Sequence, residues 1–127
     1  MNIADYYPLA LTILGCVVTA SIGFRFPDID LAPVLPLRHR SAWTHGPFMA
    51  LGVLALVSSF PSFRIYALTF LAGLTIHLLE DAAPKEWRGS AHINLFPLPF
   101  SLPVLLSQLY IVSGVVVSAW VITRVIQ

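Results

Sequence analysis

Charge is what this chain has least of. Asp, Glu, Lys and Arg make up 10% of its 127 residues, where an ordinary soluble domain carries roughly 25%. So few charges cannot coat a water-facing surface, which excludes a soluble monomer built on a buried helical core. Disorder is excluded by the opposite excess, since 57% of the residues are apolar and mean hydropathy is +0.83. A basic stripe is also missing. With 7 Lys and Arg against 6 Asp and Glu, nothing invites nucleic acid. The single cysteine, Cys16, excludes an internal disulfide and a zinc-thiolate cluster. Finally, Met1 to Tyr7 carry Asp5 but no Lys or Arg. The first apolar stretch therefore lacks the basic start of a cleaved signal and reads as a retained span. What is left is a small integral membrane protein, one domain over residues 1–127.

Four apolar stretches supply the spans: about Tyr6 to Phe24, Pro47 to Phe60, just after Arg64 to Leu79, and Leu102 to Thr123. A helical crossing needs ~20 apolar residues. The first and fourth stretches meet that length. The second and third are shorter and are joined only by Pro61, Ser62 and Phe63, so they predict a tight helical hairpin. The expected fold is all-α, a membrane bundle of about four helices with two polar metal-site loops on one face. Small residues such as Gly15, Gly52, Gly73 and Gly114 would let the helices approach closely. Four crossings place both termini on one side and both long connections, Arg25 to Gly46 and Ala82 to Ser101, on the other. Those connections hold Arg25, Arg38, Arg40, Lys85 and Arg88, against Arg64 and Arg124 on the opposite face. The positive-inside rule then makes the long connections cytoplasmic.

The scarce polar groups are gathered on that one face. All four histidines (His39, His45, His77, His92) lie in or beside the long connections, with Asp28, Asp30, Glu80, Asp81 and Glu86. Water explains polar loops in general, but not the choice of His and Asp over Lys, Ser and Asn. Ionisable groups concentrated at a membrane boundary point to a functional site.

Three clusters carry the chemistry. In Phe26-Pro27-Asp28-Ile29-Asp30, extended backbone would aim both aspartates the same way, and a cation between them would relieve their repulsion. An Asp-rich turn capping a helix is the plainer reading. In Arg38-His39-Arg40-Ser41-Ala42-Trp43-Thr44-His45, two imidazoles bracket a short connection and are suited to zinc and its relatives. Arg40 between them suits an anionic substrate oxygen. In His77-Leu78-Leu79-Glu80-Asp81, a continuing helix would put His77 and Asp81 on one face at i and i+4. That pair is a two-point grip on a metal, with a carboxylate near enough to orient an imidazole or activate water. Glu80 is a spare carboxylate. Prolines at 84, 97, 99 and 103 forbid regular helix between the third and fourth spans, and that segment is expected to fold over the boundary, with His92 a further candidate ligand.

The order Pro-Asp-Ile-Asp, His-Arg-x-x-x-Thr-His and His-Leu-Leu-x-Asp, spread over Gly23 to Phe100, resembles the YdjM family. Its members are small membrane proteins described as metal-dependent hydrolases, LexA-binding and associated with the bacterial inner membrane. The resemblance implies metal ligation by Asp28, Asp30, His39, His45, His77 and Asp81. That family is distantly similar to zinc-dependent phospholipase C and nucleases, which implies phosphoester hydrolysis at zinc. This chain departs from the family pattern in Ala82-Ala83-Pro84, where Thr and then Gly are common, and in Gly46, where Ser is common.

The expectation is a membrane-embedded hydrolase with a divalent metal, zinc foremost. Asp81 or Glu80 would serve as general base, Arg40 would steady negative charge, and a phosphoester such as a lipid headgroup would be the substrate. The rival is a non-enzymatic membrane protein whose metal pins two loops together and supplies folding energy. A proton or ion transporter ranks behind both, because even His77 lies near a span's end.

Overall fold

Prolines set the helix boundaries. The computed structural model describes residues 6–31, 40–82, 92–95, 98 and 100–127. Its helices are α1 (Tyr7–Arg25), α2 (Pro47–Ser59), α3 (Arg64–Ala82) and α4 (Val104–Ile126). Pro8 sits in the first turn of α1, Pro47 opens α2 behind an extended Gly46, and Pro103 caps α4. Proline's missing N–H costs nothing in a first turn. Pro61 begins a single 3-10 turn, Pro61–Phe63, which forms the tight joint of the α2/α3 hairpin.

The helices run alternately up and down. Thr19 Oγ1 meets Thr69 Oγ1 at 2.6 Å, and further along both helices the Phe24 ring lies edge-on to His77, so α1 and α3 are parallel. Tyr110 Oη donates to the Ala42 carbonyl at 2.7 Å, and Gly114 packs against Gly46 and Leu78, so α4 descends beside α2. The described ends, Tyr7 of α1 and Ile126 of α4, therefore lie opposite the polar connections, as four traverses require.

Helix α1 packs on α3, while α2 and α3 both pack on α4. Leu71, Leu74, Leu78, Ile111 and Val121 form the buried centre. Around it the helices stay apolar. On α1 only Gly23 is buried, and Leu9, Leu11, Leu14 and Val17 are each more than half exposed. Apolar surface on that scale belongs in lipid. Gly23 is needed where it stands, because a Cβ there would collide with the Phe70 carbonyl; a Cβ on Gly73 would collide with that of Ala20. These reciprocal contacts bring α1 and α3 close enough to set Asp28 beside His77.

Among the described residues, three helices are long and apolar enough to cross a membrane: Tyr7–Arg25, Pro61–Ala82 and Val104–Ile126. Helix α3 continues through Glu80 and Asp81, the condition under which His77 and Asp81 share one face. Helix α2 is shorter than a crossing. Its 13 residues extend about 20 Å, against a hydrocarbon layer of ~30 Å. The folded segment Arg40–Gly46 leads directly into α2.

Part of the proline-rich connection does fold back over the polar end. Asn94 N–H donates to the Arg40 carbonyl, Ala42 N–H to the Asn94 carbonyl, and Leu102 N–H to the Ile93 carbonyl, at 2.8–2.9 Å. These form isolated bridges, Ser41 to Asn94 and Asn94 to Ser101; among the described residues there is no longer strand. Ile93 N–H also donates to Ser107 Oγ on α4 at 2.8 Å. The segment carrying His45 is thus fixed to α4 from two sides.

Candidate metal centre

The first aspartate cluster is not extended. Residues Pro27–Leu31 form a 3-10 turn, closed by Ile29 N–H donating to the Phe26 carbonyl at 3.0 Å. Residues two apart in such a turn point about 120° apart, so the expectation that Asp28 and Asp30 aim the same way is corrected. Proline's fixed φ suits a turn, and the buried bonds of Asp30 hold it. The Asp28 side chain is 46% exposed and faces His77, with Oδ1 at 3.8 Å from Nε2. Asp30 is buried and points the other way.

Asp30 organises the turn that carries His45. Its Oδ2 accepts the Ser41 N–H at 2.8 Å and the Thr44 hydroxyl at 2.9 Å, and lies 3.4 Å from His45 Nδ1. Thr44 Oγ1 is also 2.9 Å from Nδ1. A hydroxyl has one proton; given to the Asp30 carboxylate, nearer than the Ser41 carbonyl at 3.2 Å, it leaves Thr44 to accept from Nδ1–H. That assignment leaves the opposite ring nitrogen, Nε2, to act as a ligand whenever the ring is neutral. Burial alone would raise the Asp30 carboxyl, but the bonds from His45, Ser41 and Thr44 outweigh it and hold the group below its ordinary range. Burial likewise opposes a charge on His45, yet Asp30 and Asp81 on its two sides raise its pKa above the ordinary 6.5.

His45 Nε2 faces the end of α3. Asp81 Oδ2 lies 3.3 Å from it and 3.5 Å from His77 Nε2. The i, i+4 spacing places His77 and Asp81 on one helix face, as expected. The His45 and His77 rings meet edge to face at 5.6 Å. Asp28, His45 and His77 each offer one donor atom within 4.8 Å of the other two. Three separated stretches of chain thus converge on a group that can hold a metal ion. Metal–ligand bonds of ~2.0–2.1 Å in a tetrahedron separate the donors by about 3.3 Å. The separations of 3.3, 3.5 and 3.8 Å among Asp81, His45, His77 and Asp28 lie near that edge.

The other expected residues take distinct places. Arg40 is buried and directs Nη2 at Asp81 Oδ1 from 3.3 Å, so its guanidinium serves that carboxylate directly. Its backbone has φ 58°, the left-handed region that non-glycine residues seldom adopt. Glu80 is exposed and lies about 100° around the helix from Asp81; of the two carboxylates, Asp81 faces the histidines. His92 Nδ1 donates to the Leu102 carbonyl at 2.6 Å, which makes it a strut of the connection. His39 lies outside the described residues, as does most of the basic segment near Lys85 and Arg88.

Thr44 and Tyr110 were not singled out by spacing or charge. The hints for Thr44 were its place in the His-Arg-x-x-x-Thr-His motif and its position three residues after Ser41, where hydroxyl-bearing residues commonly build turns. Tyr110 lies within the last span, and only the fold shows its ring against Gly46. Comparison with family models, with curated proteins and with solved structures finds no match to this chain.

Proposed function

We propose that the protein is a membrane-embedded, metal-dependent hydrolase that cleaves a phosphoester, of the kind its YdjM-like motifs suggest. One observation supports this reading above the rest: two imidazoles and the Asp28 carboxylate converge beside a second carboxylate, with one side of the group exposed. Nitrogen and oxygen donors without thiolate suit zinc. A bound divalent ion supplies Lewis acidity and lowers the pKa of its water toward ~7. Asp30 and Thr44 hold Nδ1 of His45 and so aim Nε2 into the centre. Asp81 is the base that takes a proton from attacking water, and Arg40 holds it in orientation through its contact with Oδ1.

The rival reading is a structural ion. It is favoured by Asp81, whose position could close the donor set at four, as structural zinc sites are closed. The exposed side of Asp28 favours the open, catalytic arrangement. Metal analysis of the purified protein beside Asp28→Ala and His77→Ala tests the centre: near-stoichiometric metal in the wild type, lost in both variants, is expected. Equal, negligible metal in all three would remove both readings. A phosphodiesterase assay with and without chelator tests the chemistry, and chelator-insensitive turnover would overturn the mechanism.

A further inference from the structure

A groove of about 490 Å³ runs along the outer side of α1 and the turn that follows it. Its length is lined by apolar residues, among them Val17, Val18, Ile22 and Ile29, and its lining also includes Arg25 and Asp28. Arg25 is the last residue of α1, and Asp28 is a member of the metal-capable group. An apolar trough, a cation and a candidate metal ligand therefore occupy one continuous surface.

The centre is also recessed. Gly114 packs beside Gly46 and Leu78, next in sequence to His45 and His77. Helix α4 begins at Val104, which is about 15 Å along the axis from Gly114 at 1.5 Å per residue. Over that length Val104, Leu105, Leu106 and Leu109 are 45–68% exposed. A band of lipid-facing side chains thus stands beyond the level of the donors.

We infer that the α1 groove binds a phospholipid, its acyl chain along Val17, Val18 and Ile22 and its phosphate against Arg25, at the edge of the metal centre. The inference rests on the hydrolase reading only for the fate of that lipid. Charge complementarity sets the occupant: guanidinium and a divalent ion both attract phosphate, while the trough, apart from Ser21, is lined by apolar side chains between its ends. Arg25 would also suit the α1 C-terminus as a dipole partner or an interface anchor, but neither role discriminates between headgroups.

The test uses the full-length, zinc-loaded protein in phosphatidylcholine vesicles doped with either of two photoactivatable lipids. One is a phosphatidic acid with a diazirine in its acyl chain; the other is the chain-matched diacylglycerol without phosphate. The phosphatidic acid should label residues 17–29 at least five-fold more than the diacylglycerol. Arg25→Gln should bring labelling down to the diacylglycerol level, and Ile22→Trp should lower it by filling the trough. Equal labelling by the two lipids, or phosphatidic acid labelling as strong on the exposed face of α4 as on residues 17–29, would overturn the inference. Turnover of the vesicle lipid and of a water-soluble phosphodiester is followed in the same samples. Selective labelling without any turnover leaves the groove standing and removes the hydrolase. Metal-dependent turnover of the soluble ester without selective labelling does the reverse.

Discussion

Asp30 and His45 face each other at 3.4 Å with neither side chain exposed, on the side of the imidazole turned away from the metal-capable group. The carboxylate therefore fixes the ring without occupying the pocket. Partners of this kind, behind a ligand, typically contribute 10–100-fold to metal affinity. Asp30→Asn keeps the shape but removes the charge and lets an N–H₂ group compete for the same bonds. Zinc affinity, measured by competition with a chromophoric chelator, should fall by about that factor while Asp28, His45 and His77 remain. An unchanged affinity would show that Asp30 serves the turn alone.

Protons and metal compete at His45. Its pKa is raised by Asp30 and Asp81 against the opposing effect of burial, and a group raised on folding stabilises the folded state below its unfolded value, near 6.5. That contribution fades as pH rises through the elevated folded value. Asp30 is lowered, so its contribution is present above the ordinary carboxylate range and fades as acid protonates it. The metal-free protein should accordingly be most stable between about pH 4 and pH 6.5 as far as these two groups decide it. Metal requires neutral His45 and releases its proton, so the stabilisation added by zinc should grow from pH 6 to pH 8. Thermal melts with zinc and with chelator across that range check both slopes. Zinc stabilisation that is flat with pH would mean that His45 is not a ligand.

The α1–α3 contact is set by Gly23 and Gly73, each against the other helix's backbone. Backbone cannot move aside as a flexible side chain can, so Gly73→Ala must push the helices apart. Overpacking of this sort costs about 1–3 kcal/mol. The larger expected effect is on position, because α1 delivers Asp28 to His77. Gly73→Ala should weaken zinc binding, whereas Gly52→Ala, where a Cβ meets open space, should leave it intact. Parallel metal titrations of the two variants decide the point.

The sequence made the helices and the polar face legible for separate reasons. Charge-free runs of spanning length have few other fates, and the parity of the traverses groups the connections whatever the packing. The i, i+4 rule placed His77 and Asp81 together before any tertiary contact was known. The rule of two for Asp28 and Asp30 gave the wrong result because it assumes extended backbone, and Pro27 instead starts a 3-10 turn. Asp30 was then drawn to the Ser41 N–H and the Thr44 hydroxyl, partners 11 and 14 residues away in the chain. Nothing local in the sequence encodes that choice. The length of α2 was visible, but not the folding of the segment that carries His45, which depends on Asn94 and Tyr110 holding it.

Arg40 combines a left-handed backbone, φ 58°, with a buried guanidinium on Asp81, and the two features can be separated by substitution. Non-glycine residues in unfavourable backbone regions carry of order 1 kcal/mol or more of strain, which glycine does not. Arg40→Ala keeps the strain and removes the ion pair; Arg40→Gly removes both, although glycine also gains freedom in the unfolded chain. If strain exceeds that entropy, the glycine variant should melt above the alanine variant. Both should change zinc affinity equally, because both leave Asp81 without its guanidinium. A glycine variant that melts below the alanine variant would mean the backbone there is not strained enough to matter. Unequal zinc affinities would mean instead that the backbone at residue 40, through the Ser41–His45 turn, sets the position of the ligand itself.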